Sequence, residues 1–205
     1  MDTHQTRGTA FAGSRRIASG ELAQVALTTK EIIDRGERAP IVIFDDTTSE
    51  PIEVDFRGTA EDVLKRLEER KAKVATVNAP AHPPHSVPRG PGRPRLGVVA
   101  REVTLLPRHW EWLNSQPGGA SVALRKLVEE AKRSNVGSDR VRLAHEAAYR
   151  FMSAMAGNEP GFEEATRALF LGNQERFGEL VESWPIDVRD RAIELATAVF
   201  EGQSA

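Results

Sequence analysis

A chain of 205 residues, 40% apolar and 28% charged with a formal net charge of −2, has the composition of a folded protein: one large domain or two small ones, with a core in two parts. The absence of cysteine excludes disulfides, thiolate catalysis and Cys-ligated zinc, and no apolar run reaches the ~20 residues of a membrane span. The charge is uneven: from Arg89 to Arg133 nine Lys/Arg stand against four Glu, so a basic middle lies between acidic ends, a pattern that points to a polyanionic partner.

The N-terminus "MDTHQTRGTAFAG" has no apolar stretch of a secretory signal, so a cytoplasmic location is expected. "TAFAGSRRIA" predicts a hairpin turning at Gly13-Ser14. Ser19 is placed to cap the next helix, Glu21 adds an acid to its first turn, and Leu22, Val25, Ala26, Ile32 and Ile33 form its apolar face up to a stop at Gly36. "PIVIFDDTTSEPIEVDF" predicts a second hairpin, with Ile41 to Phe44 as one strand and alternating Ile52, Val54 and Phe56 as the other. Thr59 caps a further helix, with Asp62 three residues on and Val63, Leu64 and Leu67 as its buried stripe. The order β-β-α-β-β-α makes residues 1–73 a small α+β domain.

Residues 74–95 carry six prolines and keep neither period; they are expected to be a semi-stiff basic linker. Residues 96–136 then predict a strand, a helix opened by Pro107 and running to Ser115, a turn at "QPGGAS", and a second helix capped by Ser121 with Leu124, Leu127, Val128 and Ala131 on one face. One strand and two helices cannot bury themselves, so this segment is expected to pair with a second copy or a neighbouring domain. Residues 137–205 predict a helical region with short loops: a helix capped at Ser138 with Val141, Ala144, Ala148, Phe151, Met152 and Met155 inward, a short one ended by Gly172, one capped by Asn173, and a last one opened by Pro185. The expected fold class is α+β.

The strand-helix-helix segment resembles the ribbon-helix-helix DNA-binding fold. The likeness rests on "VTLLP" at the entry to the first helix and on "SVALRKLV" in the second, although the first helix is shorter than is usual there. The resemblance implies a homodimer whose paired strands enter the major groove of double-stranded DNA, with a phosphate held at the start of the second helix by Ser121 and the backbone after Gly119. Two registers are open. Glu102 and Thr104 face the groove if Val103 and Leu105 face inward; Arg101, Val103 and Leu105 do so if Thr104 and Leu106 face inward. In the linker, "PRGPGRPR" resembles an AT-hook: Arg89, Gly92, Arg93, Pro94 and Arg95 would form an extended arm in a narrow A·T minor groove. Over nearly its full length the chain resembles domain-of-unknown-function family 2239, an uncharacterised bacterial family. That likeness is carried by "TAFAG", "PIVIFDD", "GRPRLGVVAREVTLLPRHWEWLNSQPGGASVALRKLVEEA" and "AYRFMSAMAGNEPGFEEATRALF".

No catalytic set emerges, and neither an enzyme nor a cofactor is expected. His4, His82, His85, His109 and His145 lack metal-ligand spacing. Asp45-Asp46 at a strand end suits a turn, or more rarely Mg²⁺. Trp110 and Trp112 cannot share a helix face, which assigns one to the core and the other to the core or an interface. The leading expectation is a dimeric DNA-binding regulator. The alternative is a protein-interaction or antitoxin-like module.

Overall fold

The computed structural model describes residues 6–78 and 101–203. The fold is α+β: among the described residues, three antiparallel strands and seven helices. In chain order these are β1 (Arg7–Ala12), β2 (Arg15–Glu21), α1 (Leu22–Asp34), β3 (Ile41–Asp45), α2 (Ala60–Asn78), α3 (Pro107–Ser115), α4 (Gly119–Ala156), α5 (Phe162–Phe170), α6 (Gln174–Val181) and α7 (Ile186–Gln203). The chain divides into two compact units, a larger one of Met1–Leu67 with Asn135–Ala205 and a smaller one of Glu68–Ser134. Helices α2 and α4 each carry the chain from one to the other.

In the larger unit β1 is the central strand, between β2 and β3. Gly13, with φ +58°, supplies the left-handed residue of the tight β1–β2 turn. Strand side chains alternate between faces, and both faces of this sheet are covered. Ala10 and Ile43 join Leu22, Val25, Ala26, Val63 and Leu67 in one cluster; Phe11 and Phe44 join Phe151, Met152 and the apolar faces of α5, α6 and α7 in the other. The rings of Phe11, Phe44 and Phe151 form a triangle with centroids 5.3 to 6.2 Å apart. The N-terminal sheet and the C-terminal helices thus share a core, although the Pro-rich stretch separates them in sequence.

Three local expectations meet a different outcome. Ser19 does not cap α1. The β1–β2 ladder extends to the Arg7–Glu21 pair and takes Ser19 into β2, where its hydroxyl bonds Thr9 Oγ1 at 2.9 Å. The second strand of the second hairpin is absent, giving β-β-α-β-α. Pro51 cannot donate to a ladder, which stops at the Phe44–Pro51 bridge and the Ile52 N–H bond to Ile43 O. Ile52, Val54 and Phe56 still pack on the sheet's cluster, so their alternation records burial without pairing. The two helices expected to begin at Ser121 and Ser138 are one helix, α4; the Ser138 hydroxyl bonds backward to Asn135 O at 3.1 Å. Other signals act as expected: Thr59 and Asp62 form a reciprocal capping box, Asn173 accepts from Arg176 N–H at 3.0 Å, and Pro107 sits at the start of α3.

Candidate nucleic-acid interface

The smaller unit concentrates positive charge. Glu68–Ser134 holds twelve Lys/Arg against six Asp/Glu, while the rest of the chain holds sixteen against twenty-four. Within its described part Arg101, Arg108, Arg125, Lys126, Lys132 and Arg133 are all exposed. Large apolar side chains are exposed beside them in sequence: Val103 (52%), Leu106 (48%), Trp112 (52%), Leu127 (43%) and Val128 (55%). Trp112 is therefore a surface residue and Trp110 half-buried, while Leu113 and Ala123 are the buried apolar residues of the described segment 101–134.

Of the residues singled out in sequence, Arg101 and Thr104 lie exposed in the stretch entering α3. Arg101–Leu106, the described part of the expected strand, has no ladder partner among the described residues and is not a strand there. A ribbon strand exists only once a partner supplies the other half of the ladder. Gly119 and Ser121 share the first turn of α4. Gly118 and Gly119, at φ +88° and +74°, let the chain turn sharply from α3 into α4, and the Gly119 N–H donates to Gln116 O at 2.9 Å. An anion there would meet the N–H groups of Ala120 and Ser121, since a helix start leaves its first donors without intrahelical acceptors. Ser121 is exposed, and Arg125 Nε, one turn on, donates to its carbonyl at 3.0 Å. Arg89, Gly92, Arg93, Pro94 and Arg95 lie outside the described residues.

The larger unit holds two features that the sequence reading passed over. One is a polar tie between sheet and α7. Asp46 Oδ1 accepts from Thr9 Oγ1 (2.6 Å) and from Arg191 (3.0 Å), with both charged side chains under 20% exposed. Arg191 and Arg16 also reach Glu194, each at 3.0 Å, and Asp187 caps the Arg16 N–H at 2.8 Å. Burial pushes the Glu194 carboxyl up, but the two guanidinium hydrogen bonds outweigh it and hold it below its ordinary value. Asp45, for its part, accepts from Thr47 and Thr48 N–H, so the Asp45-Asp46 pair serves a turn and a core tie. Among the described residues no group of three or more His, Asp or Glu is arranged to hold a metal.

The other feature is a cleft of about 660 Å³ along α4, lined by Val141, His145, Tyr149, Phe170 and Gly202. His145 stacks on Phe170 at 4.9 Å with the rings 8° apart, and Tyr149 and Phe170 are about half exposed. The available signal was the His145–Tyr149 pair at i, i+4, which shares one helix face.

Among the described residues no helix is long and apolar enough to cross a membrane. A family model described as an uncharacterized protein conserved in bacteria matches residues 7–196. No curated protein and no solved structure gives a significant match.

Proposed function

The chain belongs to the uncharacterised bacterial family DUF2239, and from that premise we propose that it binds double-stranded DNA as a homodimer through its smaller unit and acts as a transcriptional regulator. In this reading Arg101–Leu106 pairs with its copy as a two-stranded ribbon, a form that fits the major groove. Ala120 and Ser121 N–H groups hold a phosphate, and Arg89, Gly92, Arg93, Pro94 and Arg95 supply a minor-groove arm. The observation that carries the reading is the coincidence, in one short segment, of exposed cations with exposed Val103, Leu106, Trp112, Leu127 and Val128. A partner copy would bury the apolar set and leave the cations for phosphates.

Sedimentation equilibrium of the full chain, with and without a short duplex, tests this. The expected result is a dimer at micromolar concentration and two chains per duplex. A monomer that carries DNA one to one would exclude the intermolecular ribbon.

The larger unit favours a second reading, a protein-interaction or antitoxin-like module without base reading. Its exposed Tyr149, Phe170 and Leu171 (82%), beside the aromatic cleft, form an apolar surface of the kind that takes partners. Retention of DNA binding after Phe170→Ser and Leu171→Ser separates the two readings.

A further inference from the structure

Every residue of α4 from Arg125 to Arg140 is exposed, so over four turns the helix has no buried face to support it. Helices in proteins draw most of their stability from such a face. Within this stretch lies Ser134-Asn135-Val136-Gly137-Ser138, five successive residues of weak helix propensity, among which Gly137 has nothing within 4 Å of where a Cβ would sit. The hydroxyls of Ser134 and Ser138 bond back to Ala131 O and Asn135 O, a pattern that weakens a helix.

The flanking residues suit a pair of helix ends better than a helix interior. Lys132 and Arg133 precede the weak stretch, where cations favour a helix C-terminus. Asn135 and Gly137 tolerate the left-handed backbone that follows such an end. Ser138 is an N-cap residue type, and Asp139 after it carries the sign a helix start prefers. Arg140 opposes that preference, whereas Arg142 is neutralised by its pairs with Asp139 and Glu146. In the continuous helix none of these groups stands at an end.

We infer that α4 is a two-state element: one continuous helix, or two helices that break at Ser134–Gly137, with Ser138 then switching its hydroxyl from Asn135 O to the N–H of Val141 as an N-cap. The joint sets whether the exposed stretch of α4 behaves as one rod or two. The inference stands independently of the DNA reading.

Hydrogen exchange of the full chain, resolved along α4, tests it. Amides of residues 135–139 are expected to exchange ~100-fold or more faster than those of 148–152, whose side chains include the buried Ala148, Phe151 and Met152. Ser138→Ala is the diagnostic change. It removes a cap only from the broken state, about fivefold, and improves the continuous helix about twofold, so exchange at 135–139 slows five- to tenfold. Equal rates along the helix, or a Ser138→Ala effect under about fivefold, overturn the two-state joint. Asp139→Pro supplies the converse. Proline is tolerated at the first position of a helix and not in its interior, so the variant keeps its melting midpoint and loses the circular dichroism of only a few helical residues. Collapse of the fold would contradict the inference.

Discussion

Phe151→Ala is the sharpest perturbation of the shared core. Phe151 is fully buried on α4 and its ring lies 5.5 Å from Phe11 and 5.3 Å from Phe44, both on the sheet. Truncating a buried Phe costs ~3–5 kcal/mol, from lost transfer energy and the cavity left behind. Each ring pair adds about 0.5–1.5 kcal/mol beyond burial, recoverable as coupling in a double-mutant cycle with Phe11→Leu. A loss near 4 kcal/mol is a large share of the ~5–15 kcal/mol total of a typical domain, and at roughly 3 °C per kcal/mol it lowers the midpoint by about 12 °C. The assay is urea and thermal unfolding followed by far-ultraviolet circular dichroism, with exchange of the β1 amides measured in parallel. Because one core joins sheet and helices, β1 protection falls together with helix content. A loss below ~1 kcal/mol, or a helical transition that shifts while β1 keeps its protection, would refute the shared core.

That core is also where the sequence was least informative. Phe11, Phe44 and Phe151 each lie in an apolar pattern that identifies an inward face, but periodicity within an element does not name the element opposite. A proline-rich stretch between 74 and 95 marks a break along the chain without saying which flanks pack together in space. Local signals were readable where the chemistry is local: the Thr59–Asp62 box, the Asn173 cap and the Gly13 turn all depend on neighbours within three residues. The helix start foreseen at Ser138 failed because a cap residue and weak formers give only a preference, which the continuous hydrogen-bond ladder of α4 overrides. At the candidate interface the charge excess and the glycine turn into α4 were legible. Exposure of Trp112, Leu127 and Val128 was not, because a buried and an unpartnered apolar stripe have the same sequence.

Four further outcomes are expected. Arg191→Met leaves Asp46 nearly buried with Thr9 as its main donor, costing ~2–3 kcal/mol in urea unfolding; adding Asp46→Asn recovers part of it, and no recovery would mean that the pair's charge is irrelevant. Glu194 has a lowered carboxyl, so its stabilisation is full above its ordinary value of about 4.5 and is lost as pH falls through the lower folded value. The stability gap between wild type and Glu194→Gln should therefore close on acidification, and a gap that widens would reverse the assigned sign. Gly178→Ala, in α6 with open space at its Cβ position, should stabilise by about 0.5–1 kcal/mol in the same unfolding assay; destabilisation would show that the space is filled. Arg93→Ala with Arg95→Ala should lower affinity for A·T-rich duplex in a gel-shift assay and leave the sedimentation mass unchanged; unaltered A·T affinity removes the arm from the reading.

DNA binding itself is tested most directly by salt titration of the full chain against a fluorescent mixed-sequence duplex. Groove binding through roughly four to six phosphate contacts predicts that log K falls with log salt at a slope of about −4 to −5. Absence of binding at ~50 mM salt, or binding indifferent to salt, would contradict the proposed function.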